Sequence, residues 1–132
     1  MPTKKNSDRE GALFPILKGN NVGRNGMTTG RVVIATKPEQ LERQWESDEI
    51  AVLASNLSSH FRNCPGDVDD LLSRVSAVLA EFGSPISEFA ACGYARGAIA
   101  AVKVEDASEV LEDGMEIRIV ARENLAEVFF VD

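Results

Sequence analysis

The sequence predicts a single mixed α/β domain, and three features carry that reading. Two nearly continuous apolar runs, residues 76–82 (SAVLAEF) and 98–104 (AIAAVKV), read as strands covered on both faces. Between them lies a helix-start signal, Ser84-Pro85, which makes the pair a β-α-β unit with a right-handed crossover. Residues 114–121 (GMEIRIVA) and 125–131 (LAEVFFV) then alternate around 122–124 as a C-terminal hairpin. A chain of 132 residues, 44% of them apolar, can fill one core and not two.

Residues 1–11 are polar, charged and without period, so burial cannot offset the entropy of ordering them. They are expected to form a disordered tail before one domain spanning 12–132. The stretch GNNVGRNGMTTG, residues 19–30, carries four glycines and three asparagines and reads as consecutive turns. It lacks the preceding strand and the Gly-Lys-Ser/Thr ending of a phosphate loop. Residues 31–36 (RVVIAT) are a β-branched strand, Pro38 opens a helix running to Trp45, and residues 50–54 form a second strand. The polar stretch SNLSSHFRNCPGD, residues 55–67, reads as a long connection. Residues 67–75 form a helix with Val68, Leu71, Leu72 and Val75 on one face, and residues 106–111 a helical turn.

A net charge of −7 without a basic cluster excludes a phosphate-tracking nucleic-acid surface. The two cysteines, Cys64 and Cys92, have neither zinc-knuckle nor Cys-x-x-Cys spacing, so reduced thiols, no metal and no cofactor are expected. The N-terminus has no apolar signal core and no window approaches a membrane span, which predicts a cytoplasmic protein without membrane association.

The residues also carry a resemblance. The run Arg24-Asn25-Gly26-Met27-Thr28-Thr29-Gly30-Arg31-Val32 keeps both glycines and the valine of a turn-and-strand motif. Residues 83–101 align without a gap to a signature of which Gly83, Ser87, Ala90, Gly97 and Ala100 are retained, and Leu111-Glu112-Asp113-Gly114 matches a later element. In these positions the chain resembles the phosphohistidine, or swivelling, domain of phosphoenolpyruvate-utilising enzymes such as pyruvate phosphate dikinase and phosphoenolpyruvate synthase. The resemblance implies a swivelling β/β/α fold, a mixed sheet holding the β-α-β unit and the hairpin. It also places Glu88 where that family has its phosphorylated histidine, Ser84 on its second glycine and Tyr94 on its arginine. A γ-carboxylate is a poor substitute, because an acyl phosphate hydrolyses readily. The implied function is a non-catalytic, stand-alone binding or regulatory module whose partner is an enzyme of the phosphoenolpyruvate-utilising type, or further copies of itself. The alternative is a phosphocarrier acting in trans through His60 or Ser87.

The candidate residues follow. Glu88 is either a carboxylate standing in for a bound anion or an acid favourably placed in a first helical turn. Ser84 caps that helix, Gly83 precedes it, and Ser87 either accepts a phosphoryl group or satisfies first-turn backbone groups. His60, the single histidine, is expected to be solvated in a polar loop. Cys92 reads as core packing, and Glu105, Asp106, Glu109, Glu112 and Asp113 as a solvated acidic end. A hydrolase pairing His60 with Glu88 lacks a nucleophile.

Overall fold

The computed structural model describes residues 14–64, 66–83 and 97–131. Among the described residues there are seven strands: β1 (Leu17–Asn21), β2 (Gly26–Ala35), β3 (Glu49–Leu53), β4 (Ala77–Ala80), β5 (Ile99–Val102), β6 (Glu116–Arg122) and β7 (Leu125–Phe130). They close into a barrel in the order β1-β5-β4-β3-β2-β6-β7. Strands β2 to β5 run parallel, in registers that include Val32 with Ile50, Val52 with Leu79, and Leu79 with Ala101. Strands β6, β7 and β1 complete the circle with antiparallel pairings on every side.

This closure corrects the expected swivelling β/β/α sheet. The strand that closes the ring is β1, which bonds to β5 through Asn20 and Asn21 and to β7 through residues 17–20. It lies in the glycine-asparagine stretch read as consecutive turns, as does the first half of β2. The glycines there serve a different purpose from turning. Gly23 passes so close to the Ala98 carbonyl that a Cβ would overlap it, and a Cβ on Gly30 would stand 2.6 Å from the Asp48 carbonyl oxygen. Asn21, 4% exposed, donates its amide to Asn25 Oδ1 and the Glu123 carbonyl at 2.9 Å each and accepts the Gly23 N–H, which stitches β1 to the β6–β7 turn.

The two faces of the parallel strands bury against different material. Ile50, Val52, Leu79, Ile99 and Ala101 point into the barrel, where they meet Ile117, Ile119, Ala126 and Val128 of the antiparallel half. Ala51, Leu53, Val78, Ala80, Ala100 and Val102 point outward beneath Trp45, Leu57, Phe61, Val68, Leu71 and Leu72. Both faces of β3, β4 and β5 are therefore apolar, while β6 alternates buried Ile117, Ile119 and Ala121 with exposed Glu116 and Arg118.

The outer layer comes from the connections. The segment from Pro38 is a short 3-10 helix, Pro38–Glu42, rather than a helix reaching Trp45. The expected polar connection after β3 is instead a 3-10 turn, Ser55–Leu57, followed by helix α1 (Ser58–Asn63). Leu57 and Phe61, four residues apart, bury on one face and anchor it. Helix α2 (Gly66–Leu72) follows, with Val68, Leu71 and Leu72 inward, and α3 (Ala107–Val110) succeeds β5. The expected tail and the expected helix from Ser84 to Arg96 lie outside the described residues.

Glu49 opens β3 as a buried acid, and its surroundings explain why it is tolerated. The Arg43 guanidinium meets it at 2.8 and 3.3 Å, the Glu46 N–H donates to it at 2.8 Å, and Arg43 itself stacks on Trp45 with its guanidinium carbon 4.7 Å from the ring centre. These hydrogen bonds, Arg43 first, hold the Glu49 carboxyl below its ordinary value against the opposing effect of burial.

Candidate functional site

Because β2 to β5 are parallel, their carboxyl ends emerge at one mouth of the barrel, the place where α/β folds gather functional side chains. A cleft of about 520 Å³ opens there, lined by Thr36 after β2, Ala54 to Asn56 after β3, Glu81 after β4, and Glu105, Asp106, Ser108 and Glu109 after β5. Two residues in the last segment take left-handed backbone angles, Lys103 at φ +56° and Asp106 at φ +65°. The turn at Lys103 directs its N–H to the Phe82 carbonyl and that of Val104 to the Ala80 carbonyl, which folds the acidic segment over the mouth.

Glu81 organises this cleft. Its Oε1 accepts the Ser55 N–H at 2.7 Å, and its Oε2 accepts both the N–H and the hydroxyl of Ser108 at 2.7 Å. Ser55 begins a 3-10 turn and Ser108 lies in the first turn of α3, so both N–H groups belong to helix starts that offer them no internal acceptor. One carboxylate thus caps two helical segments and ties together the chain ends leaving β3, β4 and β5. Sequence reading took Glu81 only as part of the apolar run 76–82. The available signal was an acid placed directly after four buried residues, where solvation alone gives it no reason to be.

The chemistry open to this cleft is limited. Glu81 already accepts the two helix-start N–H groups and the Ser108 hydroxyl, so among the described residues these donors are not offered to an oxyanion. What the cleft retains is charge: Glu81, Glu105, Asp106 and Glu109 line it, and none of its described lining residues is Lys, Arg or His. The acidic end read from the sequence is therefore gathered around a concavity. Glu112 and Asp113 are the exceptions, and Asp113 Oδ1 accepts the Ile34 N–H at 2.7 Å, which pins the 112–114 loop to β2.

No family model matches the sequence, and no curated protein matches it significantly. Solved structures do. Aconitase X from Thermococcus kodakaraensis, in its holo form, superposes with a TM-score of 0.55 at 17% identity, over 86% of this chain and 97% of that one. A UPF0107 protein solved by solution NMR superposes with a TM-score of 0.56 at 10% identity, over 87% of this chain and 99% of that one. At such identities the likeness establishes the fold alone, and it shows that chains of similar length carry this barrel. It also overturns the description as a mobile swivelling domain of phosphoenolpyruvate-utilising enzymes: the shared architecture is the closed barrel of aconitase X and UPF0107.

The residues expected to carry function are dispersed. Gly83 follows β4 with φ +98°, a conformation that glycine alone adopts without strain. Ser84, Ser87 and Glu88 lie outside the described residues, as do Tyr94 and Cys92. His60 is not a solvated loop residue. It sits in α1 with its side chain 22% exposed, its Nε2 is 2.8 Å from Asp67 Oδ2, and its ring meets Phe61 edge-on. A second pocket of about 250 Å³ lies beside it, bounded by Pro38, Leu41, Asp70, Leu71 and Arg74. Among the described residues, the group able to hold a metal is His60, Cys64 and Asp67, whose donor atoms all lie within 4.8 Å of one another.

Proposed function

We propose that this chain is a non-catalytic binding module that engages a partner chain through the acidic mouth of its barrel. The observation that carries the proposal is the state of Glu81: the central carboxylate of the cleft is consumed in holding the mouth together, and the free carboxylates around it form a receptor for positive charge. The partner surface that fits is a segment bearing guanidinium or ammonium groups, since four carboxylates around one concavity repel an anion and attract a cation. Support also comes from aconitase X, named as an enzyme, in which a chain of about this length carries the same barrel. A larger enzyme chain is the partner this reading favours, with a second copy of the chain as the alternative. The phosphoenolpyruvate-utilising type of partner rests on the sequence resemblance alone.

The test is an NMR titration of the labelled chain with a short oligo-arginine peptide. Shifts confined to Thr36, Asn56 and residues 105–109, weakened by salt and by the Glu105→Gln/Glu109→Gln pair, are the expected result. Shifts spread evenly over the acidic surface, or absent from the mouth, would sink the proposal.

A further inference from the structure

We propose that His60, Cys64 and Asp67 form a binding site for a borderline divalent transition metal of the zinc class, on the outer layer of the barrel and separate from its mouth. The donor set is one imidazole, one thiol and one carboxylate within 4.8 Å. Nitrogen with sulfur selects zinc, cobalt or nickel over calcium and magnesium, which take oxygen cages.

The three donors are held by their own backbone. The Cys64 N–H donates to the His60 carbonyl at 2.8 Å, and the Asp67 N–H donates to the Cys64 carbonyl at 3.1 Å. The spacing His-x-x-x-Cys-x-x-Asp therefore spans one helix end and the start of the next, with each ligand one hydrogen-bonded turn from the last. The His60 ring is braced by its edge-on contact with Phe61, at 5.2 Å between centres, and Phe61 is itself buried and stacked on Phe82. Nε2 is the ring atom turned toward Asp67 and is the one that would bind.

The distances suit a metal-free tetrahedral site. Metal bonds of about 2.0 to 2.3 Å put tetrahedral ligands roughly 3.3 to 3.8 Å apart. The 2.8 Å contact between His60 and Asp67 opens slightly on binding, and the thiol, within 4.8 Å of both, closes in by no more than about 1 to 1.5 Å. Binding forms one bond each to Nε2, Sγ and a carboxylate oxygen, and releases the thiol proton to solvent. His60 and Asp67 also line the neighbouring pocket, which leaves room for a water molecule as fourth ligand. Residue spacing alone did not point to this site, because a lone histidine and two distant cysteines match no standard ligand pattern.

The experiment is a cobalt(II) titration of the reduced, metal-free full-length chain. Saturation at a single equivalent is expected, with a thiolate-to-cobalt charge-transfer absorption and the intense visible bands of a tetrahedral ion, both displaced by zinc. Cys64→Ser should abolish the charge-transfer band and Cys92→Ser, the other thiol, should keep it. His60→Ala and Asp67→Ala should each weaken binding, His60→Ala by about 100-fold or more. A band that survives Cys64→Ser, binding indifferent to His60→Ala, or no binding at all overturns the site. Should Cys64→Ser misfold, alkylation of the unmutated protein decides the matter. Zinc should protect Cys64 from iodoacetamide, read by peptide mass spectrometry, and failure to protect it overturns the proposal equally.

Discussion

Replacing Glu81 by glutamine tests whether the barrel mouth is held as the structure describes. The carboxylate accepts three hydrogen bonds, one on Oε1 from Ser55 and two on Oε2 from Ser108. Glutamine has one oxygen, so its best orientation keeps the Ser108 pair and turns its NH2 against the Ser55 N–H, donor facing donor. One bond is lost and two lose their charge assistance. A hydrogen bond to a charged group contributes about 1.5 to 3 kcal/mol and a neutral one about 1. The cleft is open to water, which hydrates the freed Ser55 N–H and lowers the cost. The expected destabilisation is about 1.5 kcal/mol, read as a fall in the urea midpoint at unchanged slope, or a drop of about 4 to 8 °C in Tm. Ser108→Ala should cost about 0.5 to 1 kcal/mol, and the double variant should fall short of the sum, because the Ser108 hydroxyl bond that one variant removes has already lost its charge assistance in the other. A loss below about 0.3 kcal/mol for Glu81→Gln, or full additivity with Ser108→Ala, would refute the clamp.

Three further outcomes follow from the packing. Arg43→Ala strands the buried Glu49 carboxylate with the Glu46 N–H and a more distant Arg31, and should cost about 2 kcal/mol near neutral pH, less than a fully buried pair because Arg43 is 38% exposed. The Glu49 carboxyl is held below its ordinary value of 4.5, so its contribution is fully present above that pH and is lost as pH falls through the lower folded value. Glu49→Gln should accordingly show a flatter acid limb in stability against pH, and an unchanged limb would refute the assignment. Gly23→Ala drives a methyl into the Ala98 carbonyl and to 2.9 Å from the Ala100 nitrogen, and should cost about 2 to 4 kcal/mol by denaturant titration; a neutral result would place β1 elsewhere.

The strands with a periodic or continuous apolar pattern could be read from the sequence, and their closure into a ring could not. Residues 31–36, 50–54, 76–82 and 98–104 overlap β2 to β5, because a strand buried on both faces leaves an unbroken apolar run. That pattern is the same whether the second face meets helices across an open sheet or the interior of a barrel. Strand β1 left no pattern, since Gly19, Asn20 and Asn21 fill three of its five positions and serve close approach and side-chain bonding. His60 was misread because the helix anchors beside it, Leu57 and Phe61, are two apolar residues in a polar stretch. The pairing of Glu81 with Ser108, 27 positions away, depends on tertiary arrangement and leaves no local trace.

The order in which the ring is assembled bears on how the chain emerges from a ribosome. Strand β1 is made early, yet its partners are Val102 on one side and Leu125 to Val128 on the other. Until residues 125–128 have been synthesised, it has at most one edge to bond to, and the apolar lining of Ile50, Val52, Leu79 and Ile99 remains open along a seam. Such remote pairings are slow to form, since the entropy of closing the intervening chain is spent before any contact is gained. The growing polypeptide therefore passes through a long interval as an unsealed sheet with two exposed edges, the form most prone to pair with a neighbouring chain. Its folding becomes secure only once β7 is in place, so that losing this strand would cost the protein far more than six residues' worth of contacts.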